Sequence, residues 1–178
     1  MPILPDELIA QVSGLVADYI STQRNKYLHA ANPLSIDQRA AMAGFFTPRL
    51  LDETRLLVLD EERVANPDFF PMLRRMGFDD LPDQSTMAAV TFDGCVVSHG
   101  PFTNGLLFHE LVRVEQYWQL GVARFADLYL RGFLNGGGYF EIPLEQSAYS
   151  LGEQYIKYPS KHFSVADEVT RWILEERF

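Results

Sequence analysis

The sequence predicts a single α+β domain, and three patterns support that prediction. The first is a helical spacing of apolar residues near the amino terminus, and the second is an Asp93-Gly94 hairpin signal between two apolar runs. The third is the segment 106–120, whose apolar residues fall on nearly every side and therefore indicate a buried helix. We expect residues 1–178 to form one domain. A small mixed or antiparallel sheet should pack on the buried helix, with further helices toward both ends of the chain.

Length and composition narrow the classes of function. A chain of 178 residues with 47% hydrophobic residues can bury a substantial core. Its net charge of −9 disfavours a nucleic-acid partner or an anionic membrane surface. The single cysteine, Cys95, excludes an intrachain disulfide and a cysteine-based zinc finger. We see no signal peptide in residues 1–7 and no apolar run long enough to span a membrane, so a cytoplasmic protein is expected.

The first half of the chain alternates helical patterns with loop signals. Asp6 begins a helix that can continue to Leu28, and Ser35 with Gln38 forms a capping-box pattern ahead of a second helix. An aliphatic run then predicts a strand, and a short helix is expected after Phe69-Phe70-Pro71. The expected ranges are 6–28 and 35–46 for the helices, 54–59 for the strand and 72–76 for the short helix.

The second half contains the hairpin and the remaining helices. The hairpin strands are expected at 87–92 and 95–97, directly before the buried helix. Gly121 is expected to stop that helix, and another apolar helix follows over 122–133. Pro143 fits the first position of the next helix, which places Glu145 in its first turn. Ser164 is expected to cap the last helix.

The buried helix also carries polar side chains that require an explanation. His109, Arg113 and Gln116 are spaced at i, i+4 and i+7 and therefore lie on one face, and Glu110 is adjacent to it. Polar and charged groups inside a protein need partners or a function, because burial without either is costly. This face of the helix is therefore the predicted functional site.

The same helix carries a resemblance to a known family. The run HELVRVEQY at residues 109–117 resembles the active-site helix of small zincin-like metallopeptidases, whose motif is H-E-x-x-H. The run IPLEQSAY at residues 142–149 resembles the second, glutamate-bearing helix of the gluzincin branch. The similarity covers about residues 54–152, in the family's order of hairpin, H-E helix and glutamate helix. Arg113 stands at the position of the second histidine, so the motif is H-E-x-x-R.

The resemblance implies a set of roles. His109 would be the first zinc ligand, Glu145 the third, and Glu110 the base that activates water. The hairpin strand before the helix would lie along the cleft and pair with substrate. Arg113 departs from this pattern, because a guanidinium stays protonated and has no lone pair to give to a metal. The expected cofactor is therefore zinc or none.

Three interpretations of the site follow, besides a purely structural one in which His109 and Arg113 satisfy neighbours. In the first, the chain is a pseudoenzyme: Arg113 replaces the metal, pairs with Glu145, Glu110 or both, and the cleft binds a small molecule, a peptide or another partner. In the second, His99 replaces the missing ligand and an active peptidase or hydrolase results. In the third, His109 or Glu110 performs metal-free acid–base chemistry near Arg113. The expected ligand-binding side chains are Arg113, Gln116, His99 and Tyr149.

Overall fold

A computed structural model describes residues 5–136 and 138–177 of the chain. Within those residues it contains seven α-helices and one four-stranded sheet, so the predicted α+β class is confirmed. The helices are α1 Asp6–Leu28, α2 Ile36–Met42, α3 Pro48–Glu53, α4 Phe70–Arg75, α5 Asn104–Gly136, α6 Pro143–Lys157 and α7 Val165–Leu174. The strands are β1 Asn32–Pro33, β2 Arg55–Val58, β3 Ala89–Phe92 and β4 Cys95–Ser98. Two short 3₁₀ helices lie at Gln84–Thr86 and Tyr139–Glu141.

The sheet is mixed and has the strand order β1-β2-β4-β3. β3 and β4 form the predicted antiparallel hairpin, with Phe92 opposite Cys95. Asp93 takes the positive φ of 56° that this tight turn requires. β4 also pairs in parallel with β2, and all four of its residues are buried. β3 is therefore an outer strand, and its side chains contact α5.

The second predicted helix is shorter than expected. The Ser35 capping box is present, but α2 ends at Met42 and not near residue 46. The hydroxyl of Thr47 then accepts from the backbone N–H of Leu50, and Pro48 occupies the first turn of a separate helix, α3. Thr47-Pro48, directly after the expected helix end at residue 46, therefore begins the next helix. Proline suits both places, because it interrupts a helix interior and fits a helix start.

The helix expected to be buried is part of α5, which runs from Asn104 to Gly136 with an interruption at Gly121. Gly121 has φ 74° and ψ 157°, a backbone conformation that is almost restricted to glycine. The two predicted helices, 106–120 and 122–133, are therefore the two halves of α5. This break directs the second half of α5 so that its aromatic residues lie beside those of the first half.

Two apolar cores lie on different sides of α5 and the sheet. Residues of the first half of α5 fill the first core, together with residues before α3 and on α6 and α7. The second core joins the second half of α5 to α1, α4 and the hairpin. The first core includes Phe45, Leu107, Phe108, Leu111, Tyr155 and Val165; the second includes Val12, Ile20, Leu73, Phe92, Phe125 and Leu130.

Close packing of α6 on α5 sets the position of the site. A Cβ atom added to Gly132 would lie 2.7 Å from Cδ of Pro143, so the two helices approach through a glycine. Pro143 is in the first turn of α6, as predicted, and Glu145 is buried two residues later. Throughout the described ranges, none of the helices combines the length and apolar character needed to cross a bilayer.

Candidate functional site

Helices α5 and α6 bring four ionisable side chains together. His109, Glu110 and Arg113 come from α5, and Glu145 comes from the first turn of α6. Nη1 of Arg113 lies 3.0 Å from Oε1 of Glu145, and Nε2 of His109 lies 3.4 Å from Oε2 of the same carboxylate. Glu145 is thus the group on which the arginine and the histidine converge.

Arg113 is a buried cation held by charge and aromatic contacts. Its side chain is 8% exposed, and its guanidinium lies 4.8 Å from the ring centroid of Phe125 and 5.1 Å from that of Tyr129. Burial alone would lower the pKa of Arg113, but the negative charge of Glu145 outweighs it and raises the pKa. The Nη1–H does not point at Glu145, so Nη1 has no aligned hydrogen-bond acceptor within residues 5–136 and 138–177.

Glu145 remains a carboxylate although it is buried. Burial acts to raise its pKa, yet the charge of Arg113 and the contact with His109 lower it overall. The hydroxyl of Tyr129 donates to Oε1 over 3.2 Å. Oε2 lies 3.4 Å from Nε2 of His109, but no donor of the described residues is aligned with it.

The pKa of Glu110 is displaced upward, in the direction opposite to that of Glu145. Its side chain is buried, and the hydroxyl of Thr91 on β3 lies 2.6 Å from Oε2. Burial raises the pKa of Glu110, and the nearby charges of His109 and Arg113 do not offset that effect. Two neighbouring carboxyl groups, Glu110 and Glu145, therefore have pKa values displaced in opposite directions, which favours one as acid and the other as carboxylate.

These four side chains form part of the lining of a cavity. Its free volume is about 120 Å³, somewhat below the roughly 150 Å³ of an engineered apolar cavity that holds benzene. The rest of the wall is mainly apolar and comes from α1, α4, the hairpin and the second half of α5. Representative wall residues are Val12, Val16, Phe70, Leu73, Leu130 and Phe133.

His99 does not join the site. Its Nδ1 lies 2.6 Å from the carbonyl of Met87, and its Nε2 accepts from the backbone N–H of Val64 over 3.0 Å. Both ring nitrogens are thus engaged with backbone, and His99 ties the loop after β2 to the hairpin. The expectation that His99 supplies a replacement ligand is corrected by this arrangement, since no ring nitrogen is left for a metal.

Gln116 and Tyr149 also have positions different from those expected for ligand-binding residues. Nε2 of Gln116 donates to the carbonyl of Leu144 and to the hydroxyl of Ser147, so this side chain joins α5 to α6. Tyr149 is 43% exposed and does not line the cavity, and its ring centroid lies 4.5 Å from that of His109. Gln116 therefore supports the site, and Tyr149 covers His109.

The donor set does not fit a catalytic zinc ion. Such an ion takes three protein ligands, and His109 and Glu145 supply two at most. Arg113 brings its positive charge to within 3.0 Å of Glu145, where a metal bound by that carboxylate would meet it. Within the described part of the chain, no group of three or more His, Cys, Asp or Glu side chains is arranged to hold a metal ion.

The structure adds site residues that sequence reasoning missed. Thr91 positions Glu110, while Tyr129 and Tyr139 contact Glu145. Tyr129 lies four residues after Phe125, so the two share a helix face, and that spacing was a usable signal. The participation of Thr91 depends on how the hairpin packs against α5, which spacing along the chain does not reveal.

Comparisons with known proteins returned no match. No protein family, no characterised protein and no solved structure is similar to this chain at a significant level.

Proposed function

We propose that this chain is a metal-free, zincin-like binding protein that holds a small, mainly apolar molecule in the cavity beside Arg113. The ion pair between Arg113 and Glu145 carries the proposal, because it places a permanent cation next to the carboxylate that a zinc ion would need. The order of hairpin, H-E helix and glutamate-bearing helix supports the zincin-like architecture.

The cavity wall supports binding over a purely structural role. Apolar side chains from four elements line it, and the charged side chains from α5 and α6 form one cluster in its wall. Pockets that bind small molecules have this composition, an apolar wall with a few polar groups that fix orientation.

The test is a titration with toluene in which ligand-observed NMR detects binding. Val16 lines the cavity and Leu15 does not. Val16→Phe should therefore abolish binding by filling the space, whereas the matched control Leu15→Phe should leave it unchanged. Circular dichroism would check that both variants fold. Toluene binding that is absent, or that survives Val16→Phe, would contradict the proposal.

The metal-free part of the proposal has its own test. Elemental analysis after incubation with zinc should find no stoichiometric metal, and the melting temperature should not respond to zinc or to a chelator. Stoichiometric zinc that stabilises the fold would restore the metallopeptidase interpretation. In that case, hydrolysis of peptides should be lost with Glu110→Gln.

The opposite displacement of two carboxyl pKa values favours a second candidate function, metal-free acid–base catalysis. Glu110 would act as the acid and His109 as the base, with Arg113 stabilising negative charge on the substrate. Turnover of simple aryl esters or amides should then persist in the presence of a chelator. It should be lost with Glu110→Gln and with His109→Ala. A screen without turnover would leave binding as the function.

A further inference from the structure

We infer that residues 67–82 form a lid over the cavity, and that this lid opens locally to admit and release the ligand. The lid lies between β2 and β3 and includes α4. This role rests on the proposed function, because only a cavity that takes up a ligand needs a route of entry. Three features support it: the position of the lid in the cavity wall, the contacts that hold it closed and the connection between its two ends.

The lid forms part of the cavity wall and has two unlike faces. The apolar residues by which it lines the cavity are Pro67, Phe69, Phe70, Leu73, Leu81 and Pro82. Its exposed charged residues are Asp68, Arg74, Arg75, Asp79 and Asp80. Outward movement of the lid would therefore open the cavity on one side while the charged residues stay in water.

Apolar contacts alone hold the lid against the rest of the molecule. Phe70, Leu73 and Phe78 are buried in the second core. Among the residues that the structure describes, no hydrogen bond or ion pair joins residues 67–82 to a residue before 64 or after 87. Part of the inner surface of the lid meets the cavity and lacks packing partners there, so less contact is lost when the lid opens. Segments held in this way open at a lower free energy than the whole protein unfolds.

The two ends of the lid are joined at a neck, which consists of residues 64–66 and 83–87. The side-chain amide of Asn66 donates to Oδ1 of Asp83 over 3.0 Å and accepts from the backbone N–H of the following residue over 2.8 Å. His99, directly after β4, contacts the backbone on both sides of the neck. Compact surface loops commonly have ends that lie close together. The neck thus fixes the ends of the lid to the sheet, and the lid can move without separating the strands.

Thiol labelling of Leu73→Cys tests whether the lid opens. Leu73 is 4% exposed, and Leu151, which lies on α6 outside the lid, is 3% exposed. Under native conditions, iodoacetamide should label Leu73→Cys at least about a hundredfold faster than the matched control Leu151→Cys, because local opening costs less free energy than global unfolding. Cys95 is buried in β4 and should label as slowly as the control in both variants. Equal labelling rates at positions 73 and 151 would overturn the inference.

Urea distinguishes local opening from global unfolding. Local opening exposes little surface, so the labelling rate of Leu73→Cys should stay nearly constant in urea concentrations below the unfolding transition. The rate for Leu151→Cys should rise steeply over the same range, because its labelling requires global unfolding. Parallel rises at the two positions would show that Leu73→Cys is labelled only in the unfolded protein, and would overturn the inference.

Toluene tests whether the lid covers the ligand. Saturating toluene should slow the labelling of Leu73→Cys by about tenfold or more, because the ligand stabilises the closed state. Binding of toluene to the same variant would be followed by ligand-observed NMR. Toluene that binds without slowing the labelling would overturn the inference, since the ligand would then not depend on the lid. Rapid labelling of Leu73→Cys without any binding of toluene would support the opening of residues 67–82 and contradict the proposed function.

Discussion

At the scale of single residues, Arg113 determines the chemistry of the site. It brings a fixed positive charge to Glu145, and in the resemblance to the zincin motif it takes the position of a metal ligand. The pair is almost completely buried, so each charge depends on the other for compensation. Removal of the cation alone should be far more harmful than removal of both charges.

Arg113→Met should therefore lower the free energy of unfolding by about 3–5 kcal/mol, because it leaves the Glu145 carboxylate buried and unpaired. The double variant Arg113→Met/Glu145→Gln should regain most of that loss. Urea denaturation would measure the free energy of unfolding of the single and the double variant. Arg171→Met is the matched control: it removes a more exposed pair with Glu168 and should change stability by less than about 1 kcal/mol. An Arg113→Met protein as stable as the wild type would contradict the role of the pair.

The free energy of unfolding should depend on pH through Glu110. Its folded-state pKa is raised, so it stabilises the fold below the ordinary glutamate pKa and loses that contribution as pH rises through the folded value. Glu145, with a lowered pKa, has the opposite sign and loses its contribution as pH falls below the ordinary glutamate range. Glu110→Gln should become progressively more stable, relative to the wild type, between acidic and neutral pH. Urea denaturation across that range would show it, and a difference that stays constant with pH would contradict it.

From the residues alone, spacing along a helix predicted which site side chains lie close together. His109 and Arg113 share a helix face by periodicity, and the resemblance pointed to Glu145 as their neighbour. His99 and Gln116 were expected to contact a ligand. His99 instead bonds to the backbone of two neighbouring segments, and Gln116 bonds to α6. Their partners depend on tertiary packing, which a local pattern does not encode.

At the scale of elements, the break in α5 orients the site. Gly121 separates the half that carries His109 and Arg113 from the half that carries Phe125 and Tyr129, whose rings lie against the guanidinium. The sequence predicted the interruption because glycine ends helices readily. It did not predict that both halves would lie against the same cavity.

Gly121→Ala should lower the free energy of unfolding by about 1–3 kcal/mol. The cost comes from the backbone conformation alone, since an added Cβ meets no atom within 4 Å. Gly14→Ala is the matched control, because its added Cβ also meets nothing and it lies in the helical α1. That change should be neutral or stabilising by up to about 1 kcal/mol. Equal effects of the two substitutions in chemical denaturation would contradict a special role for the break.

At the scale of the whole molecule, local signals predicted the elements better than their arrangement. The extent of α1, the hairpin turn and the start of α6 follow from helical spacing, turn and proline preferences that act over a few residues. The parallel pairing of β2 with β4 and the two-residue strand β1 were not predicted. Both pairings join segments far apart in sequence, and burial of β4 stabilises its pairing with β2.

The two cores should unfold together, because α5 contributes residues to both. Trp118 and Trp172, the two tryptophans of the chain, pack against the first core, so their fluorescence reports on that side of the molecule. Ile20→Val removes one methyl group from the second core and should cost about 1 kcal/mol. If α5 couples the cores, this loss should shift the urea midpoint equally in tryptophan fluorescence and in far-ultraviolet circular dichroism. A fluorescence midpoint that stays at the wild-type value while the dichroism midpoint moves would show that the cores unfold separately. In that case, ligand binding in the second core would leave the stability of the first unchanged.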